Sequence, residues 1–471
     1  MNVDSKKFSK NPDSFIFGRK VQATAHNALH NETLKEFWFN FSSRTSNVDF
    51  SSSNDFVFCV GSIAKPELDG NAYAISVTEH GISVVAQDEK NLIYGYIKLI
   101  SMINVLNTGD NPELEIKACN IKESPLVKNR MVHFCVFPDT QLWELEKFIR
   151  FCGALRYTHI VLEFWGMLKY DCLKELSWEH AFTKEQVRPL IKQANELGIE
   201  IIPMFNHWGH AAASRVMHGK HVVLDQNPSL QSYFSDDGWC WDISKNETRE
   251  LLRQIRFELM ELCGDGEYFH IGCDEAYGFT FTKKNMDALC DFINGLNAEI
   301  NNLGKRIIMW GDMLIHKSPE FNPENNYFTS CPDAEAQNYM ISKIDKNIII
   351  GDWQYWIKKY PVETSLIFKD AGFDCLICPW DIGDAEIDSC MDTIKKHNML
   401  GVLHTTWHTL STGMPYVLKV AASCWQDICI AQSDVSVFQT KTAMLMRKSY
   451  FVNGYYERAG WSKGEIDFKW L

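Results

Sequence analysis

A chain of 471 residues is long enough for two domains, or for one large barrel with an added module. Its 45% hydrophobic and 23% charged residues are those of an ordinary globular protein, and a formal net charge of −13 argues against general affinity for nucleic acid or an anionic membrane. No run of about 18 apolar residues predicts a membrane span. The start, "MNVDSKKFSKNPDSFIFGRK", offers no apolar core for a signal peptide, so a cytoplasmic protein is expected. Fifteen cysteines, an odd number scattered through apolar segments, read as free thiols in a reducing compartment. Cys375 and Cys378 form a Cys-x-x-Cys, but inside a strand-like run that turns them to opposite faces. No second Cys/His pair stands at ligand spacing, so no metal site is expected.

Residues 1–125 read as a small α+β domain. "FVFCVGS", "AYAISVTEHGISVVAQ" and "ELEIKACNI" are short β-type runs, two of them joined as a hairpin at Gly81. Between them "DEKNLIYGYIKLISMINVL" has apolar residues at helical spacing. Residues 126–471 are expected to form the second domain, in which strands and helices alternate. The strand candidates are 130–137, 158–165, 200–206, 268–275, 306–312, 347–356, 373–381 and 401–408. "LWELEKFIRFCGALR", "KEQVRPLIKQANELG", "NETRELLRQIRFELMELCG" and "KNMDALCDFINGLNAEINNLG" are amphipathic helices, with Gly198, Gly264 and Gly304 at C-cap positions. "MPYVLKVAASCWQDICIA" and "DVSVFQTKTAMLMRKSYF" add two C-terminal helices. Eight apolar strands alternating with helices is the count of a (β/α)8 TIM barrel. A doubly wound open sheet is the runner-up, but no Gly-rich phosphate turn follows any strand.

In such a barrel the chemistry lies at the C-terminal ends of the strands. Those ends carry Glu163 and Trp165; His207 and His210; Asp274 and Glu275; Trp310 and Asp312. Asp352, Trp353 and Trp356, with Tyr355 beside them, then Trp380 and Asp381, then Trp407 and His408, close the last three. One or two tryptophans could simply fill a barrel mouth; six beside several acids fit a sugar pocket better. Aromatic faces pack on the C–H surface of a pyranose while carboxylates hold its hydroxyls. Paired carboxylates are also the equipment for splitting a glycosidic bond. Two adjacent acids repel each other, so one stays protonated at neutral pH, as a general acid must. Which of the two does so is left open by their spacing.

"FHIGCDE" resembles the His-x-Gly-Gly-Asp-Glu signature of family 20 glycoside hydrolases, the β-N-acetylhexosaminidases, with Cys273 at the second Gly. "IIPMFNHWGHAAA" resembles that family's third-strand segment and places His210 at its histidine. "KNRMVHF" is similar to the first strand, so Arg130 takes the place of an arginine that holds sugar hydroxyls. "GKRIIMWGDM" and "LHTTWHT" match the fifth and eighth strands and their pocket tryptophans, Trp310 and Trp407. The resemblance implies a retaining exo-hydrolase that releases terminal GlcNAc or GalNAc, using the substrate's own 2-acetamido carbonyl as nucleophile. Glu275 would be general acid and then base, Asp274 would stay ionised to orient the acetamido group, and His210 would support the pair. Glu163 stands where the family has an Asp, and Thr409 where it often has a Glu. The family's acetamide-binding tyrosine near strand seven has no counterpart, leaving Tyr355 or the Trp380 N–H for that role. No cofactor is implied; the partner is a small glycan, with a homodimer left open.

Two other classes compete. A metal-dependent amino-sugar amidohydrolase on the same barrel would want His-x-His after strand one, where "MVHFCVF" offers only His133. A non-catalytic sugar-binding barrel would have little use for an intact Asp274–Glu275 pair.

Overall fold

The computed structural model describes residues 14–17, 61–63, 68, 70–78, 81–102, 104–106, 113–211, 223–407 and 410–425. The predicted helix "DVSVFQTKTAMLMRKSYF", His408 and Thr409 lie outside these residues. Two small sheets come first. β1 (Ser14–Phe17), β5 (Asn104–Leu106) and β6 (Glu113–Lys117) form one, in the order β1-β6-β5. β2 (Gly61–Ile63), β3 (Tyr73–Thr78), β4 (Gly81–Ala86) and β7 (Cys119–Glu123) form the other, in the order β2-β4-β3-β7. β3 and β4 pair antiparallel with Thr78 opposite Gly81, the register of the predicted hairpin. Helix α1 (Glu89–Ser101) packs on this sheet.

Eight parallel strands then close a barrel: β8 (Asn129–Cys135), β9 (His159–Glu163), β10 (Glu200–Met204), β11 (Tyr268–His270), β12 (Arg306–Trp310), β13 (Ile349–Asp352), β14 (Asp374–Ile377) and β15 (Gly401–His404). A helix follows each strand: α2 (Leu142–Ala154), α3 (Lys184–Glu196), α4 (Asn246–Cys263), α5 (Lys283–Asn301), α6 (Ala334–Lys343), α7 (Glu363–Asp370), α8 (Asp384–His397) and α9 (Leu410–Ser423). Both strand faces are covered, which is why β9 is buried at all five positions and reads as an unbroken apolar run. Alternate residues serve different layers. Met131, Val161, Ile202, Ile308, Ile349, Leu376 and Leu403 fill the barrel, while Val132, Ile160, Ile201, Ile307, Ile350 and Val402 lie under the helices.

The helices begin and stop where local chemistry dictates. In α3 the Thr183 side chain accepts from Gln186 N while the Gln186 side chain accepts from Thr183 N. Val187, Leu190 and Ile191 then face the core, each stabilising the docked helix by about 2 kcal/mol. Gly198, at φ 75°, turns the chain into β10, and Gly264 and Gly304 have positive φ of 84° and 77° after α4 and α5. Cys375 faces outward and Cys378 inward, and the thirteen described cysteines form no disulfide with one another. Among the described residues no helix is long and apolar enough to cross a membrane.

The second N-terminal sheet and α1 meet the end of the barrel where its strands begin. Arg156 donates to Glu123 at 2.8 Å and to Tyr73 Oη, and the Tyr94 hydroxyl donates to the carbonyl of Gly198. The opposite, C-terminal mouth of the barrel holds the acids.

Candidate active site

The strand β11 ends early because its continuation must bend. Gly272, Cys273 and Glu275 have φ of 64°, 75° and 49°. At Gly272 a β-carbon would fall 1.6 Å from Asn206 Oδ1, and at Gly209 one would fall 1.8 Å from the carbonyl oxygen of Asp274. Only glycine fits either place, so both belong to the device that positions the acids. Cys273 holds its positive φ without that freedom, a conformation that costs of order 1 kcal/mol or more and concentrates at functional sites.

The bend sets two carboxyl groups against one imidazole and a third, Asp312, against the backbone of Glu275. His210 Nε2 lies 2.7 Å from Glu275 Oε2 and 3.5 Å from Asp274 Oδ2. The backbone N–H of Glu275 donates to Asp312 Oδ2 at 3.0 Å, and the Ser330 hydroxyl donates to the same oxygen. Burial pushes Asp274 up to about 6; the charges of Glu275 and Glu163 add to this, and His210 opposes it. Burial, then the charge of Asp274, holds Asp312 well above the ordinary carboxylate range. Because Asp312 Oδ2 already accepts two hydrogen bonds, Oδ1 is left to carry the proton. Asp274 Oδ1 and Asp312 Oδ1 have no hydrogen-bond partner among the described residues. Buried polar atoms in that condition are costly unless a ligand meets them.

Around the same mouth, the inward Trp310 of β12 and the segments after β13, β14 and β15 supply an aromatic wall. Trp310 lies 5.8 Å from Trp407, Trp353 stacks on Tyr355 at 5.2 Å, and Trp380 lies 5.1 Å from Tyr355. Trp407 Nε1 donates to Tyr355 Oη at 2.7 Å, and the Thr405 hydroxyl, which donates to the Pro379 carbonyl at 3.1 Å, lies 3.3 Å from the same phenol oxygen. Burial keeps the Tyr355 phenol protonated, so it has a hydrogen to donate. The indole N–H groups of Trp310 and Trp353 are buried without a protein acceptor among the described residues. Stacking surface and unused donors together suit a sugar, whose C–H face packs on the rings and whose oxygens accept.

The structure thus brings together Asp274, Glu275, His210, Trp310, Trp353, Tyr355, Trp380 and Trp407. His207 is buried, with Nδ1 donating to the Phe205 carbonyl, and serves the scaffold. Arg130 is a correction. It has the outward parity of Val132 and Phe134, its guanidinium donates to the carbonyls of Arg156, Val127 and Lys128, and it packs on Tyr94 and Trp425. It therefore holds the N-terminal end of the barrel and cannot touch a sugar at the other. Trp356 is 40% exposed and points away from the inward Tyr355, onto the rim. Asp381 lies beyond Trp380, facing Gly413 of α9. Glu163 is 1% exposed; Asn206 Nδ2 donates to it at 2.8 Å, and His133 Nε2 and Cys135 Sγ stand at 3.0 and 3.2 Å.

Sequence reasoning named Asp312 at its strand end without giving it a role, and it missed Trp239, whose indole donates to the Glu275 carbonyl at 2.6 Å and which stacks on Tyr277. Trp239 comes from the long stretch between β10 and α4, where no periodic pattern marks position. It also missed Asn206 and Cys135, because inward parity on neighbouring strands is the one signal that pairs them with Glu163.

A carboxyl cluster facing an aromatic wall at the C-terminal mouth of a (β/α)8 barrel is the arrangement of a glycoside hydrolase. The model of glycosyl hydrolase family 20, catalytic domain, matches residues 161–409, more than half of the chain, which therefore belongs to that family. The chain is 22% identical over 292 residues to lacto-N-biosidase of Bifidobacterium bifidum, a match covering 56% of this chain and 24% of that protein. It is 26% identical over 125 residues to hexosaminidase D of Bos taurus, covering 26% of this chain and 34% of that one. The matches thus span about a quarter to a third of the length of these curated relatives. Among solved structures it resembles the exo β-N-acetylglucosaminidase of Vibrio harveyi in complex with N-acetylglucosamine, with a TM-score of 0.68 at 16% identity, covering 93% of this chain and 75% of that one. It also resembles the β-N-acetylhexosaminidase of Bacteroides fragilis, with a TM-score of 0.64 at 15% identity, covering 95% and 93%. These likenesses show a shared fold.

Proposed function

We propose that this chain is a retaining exo-β-N-acetylhexosaminidase that releases terminal GlcNAc or GalNAc with help from the substrate's own acetamido group. The observation that carries the reading is the Asp274–Glu275 pair, joined through His210 and facing the Trp310–Tyr355–Trp407 wall. The sugar ring stacks on the indoles. Its acetamido carbonyl oxygen attacks the anomeric carbon while protonated Glu275 gives its proton to the glycosidic oxygen, and the aglycone leaves as an alcohol. The ring carbon–oxygen bond made by the acetamide gives an oxazolinium-like intermediate. Asp274 accepts the amide N–H and offsets the growing positive charge, which a carboxylate titrating near 6 does at neutral pH. The Tyr355 hydroxyl supplies the donor to the acetamido oxygen. Ionised Glu275 then takes a proton from water, which opens the intermediate from the face the aglycone left, and the β-configuration is retained.

The test compares aryl β-glycosides of GlcNAc, GalNAc and glucose. The reading expects turnover of the first two, negligible turnover of glucose, and strong inhibition by a thiazoline mimic of the cyclised intermediate. Glucosides cleaved as fast as the acetamido sugars would remove substrate assistance.

A further inference from the structure

Below the aromatic wall three different metal-binding side chains converge. His133 and Cys135 share the inward face of β8, and Glu163 stands across from Cys135 in the parallel register of β9. His133 Nε2, Cys135 Sγ and Glu163 Oε2 form a triangle with sides of 3.0, 3.5 and 3.2 Å. Zinc bonds of about 2.0 Å to nitrogen and oxygen and about 2.3 Å to sulfur, at tetrahedral angles, give ligand–ligand edges of about 3.3–3.5 Å. Each observed side is within about 0.3 Å of that face. The three residues are at most 4% exposed.

We propose that His133, Cys135 and Glu163 bind one divalent, thiolate-tolerant transition-metal ion of the zinc class beneath the sugar pocket. The donor set is the reason for that class: a thiolate disfavours Mg2+ and Ca2+, while His, Cys and carboxylate together suit Zn2+. Binding releases the Cys135 thiol proton to solvent, and His133 binds as its Nδ1–H tautomer, its proton moving from Nε2 to Nδ1 so that Nε2 offers a lone pair. Thiolate and carboxylate then balance the ion's two charges, so a deeply buried site becomes neutral. The surroundings hold the ligands in place. Asn206 Nδ2 donates to the second oxygen of Glu163 at 2.8 Å, and the Thr406 hydroxyl donates to the His133 carbonyl at 2.7 Å. The His133 ring also packs edge-on against Trp407, 4.7 Å between centroids. The ion would therefore fix the side chain on which this part of the pocket rests, without touching the reacting atoms. This differs from the His-x-His amidohydrolase pattern considered above, since here Cys135 replaces the second histidine and the hydrolytic acids lie on another strand.

The test uses the full chain and metal alone, with no substrate, so its outcome is independent of the hydrolase reading. Metal-stripped protein is titrated with Zn2+ against a chromophoric chelator, and separately with Co2+ while recording absorbance. The proposal expects about one equivalent per chain and a thiolate-to-cobalt charge-transfer band. Cys135→Ser should abolish that band, and His133→Gln should weaken zinc binding at least about tenfold. Glu163→Gln, which keeps the shape and the Asn206 contact, should weaken it similarly. Trp fluorescence should change on loading in wild type and stay constant in Cys135→Ser. No stoichiometric binding to the wild type would overturn the site, and so would a cobalt band that survives Cys135→Ser. Should Cys135→Ser fail to fold, His133→Gln and Glu163→Gln locate the site by the same titration, and zinc binding unchanged in both would overturn it.

Discussion

Replacing Asp274 with asparagine should abolish most activity and yet stabilise the fold. The carboxyl is almost fully buried, and burial moves its pKa from the ordinary 3.8 to about 6. The fold therefore favours the protonated form. The contribution to stability is fully present below pH 4, and it is lost as pH rises through about 6. That difference corresponds to about 3 kcal/mol at neutral pH, at 1.36 kcal/mol per tenfold change. Asparagine keeps the shape and never ionises, so it retains what the aspartate loses. It also relieves Asp312, which the charge of Asp274 pushes upward. The 3.5 Å contact with His210 is already contained in that pKa, so the variant is stabilised by up to about 3 kcal/mol. Urea denaturation of both proteins at pH 4, 5.5 and 7.5 measures this. The variant should match wild type at pH 4 and exceed it progressively toward pH 7.5. An equal or lower stability of the variant at pH 7.5 would refute the claim that this acid is held ionised at the expense of the fold.

Three other substitutions separate roles within the site. Glu275→Gln should slow hydrolysis of poor leaving groups by about 10²–10⁴ and that of acidic phenols far less, because only the former need a proton; equal losses would take Glu275 out of the acid role. Tyr355→Phe removes a donor to the acetamido oxygen and the acceptor of the Trp407 N–H, so kcat should fall about 10²-fold with a small change in KM, and an unchanged kcat would reassign the donor. Arg130→Met should cost about 2–3 kcal/mol in denaturant unfolding and leave KM within about twofold, because its three carbonyl partners lie at the far end of the barrel. A large rise in KM with normal stability would restore the arginine to the sugar.

Much of the barrel was legible in the sequence, for a physical reason. Strands covered on both faces must be apolar throughout, so β9 and β12 stand out as runs and their starts lie within a residue of expectation. Their ends do not. The predicted 268–275 strand stops at His270 because Gly272 and Cys273 turn with positive φ to deliver the acids, and no period announces a turn made in part by a cysteine. The acids themselves were legible because charge at the end of an apolar run has few structural uses. Arg130 was misplaced because resemblance to a motif took precedence over parity. His133 and Cys135 face inward, so a residue an odd number of positions away had to face out. Trp239 and the Glu163 cluster depend on contacts between elements far apart in sequence, which only the closed barrel reveals.

The central claim is that the substrate's acetamido oxygen, held by Asp274 and Tyr355, makes the first new bond to the anomeric carbon. It is tested most directly by aryl β-GlcNAc substrates whose N-acetyl group carries zero, one, two or three fluorines, with the anomer of the first-formed sugar followed by NMR. Fluorine drains electron density from the carbonyl without changing the leaving group. The account predicts that kcat/KM falls steeply with each fluorine and that the β-anomer appears first. Rates that stay level across the series, or an α-anomer formed first, would contradict it.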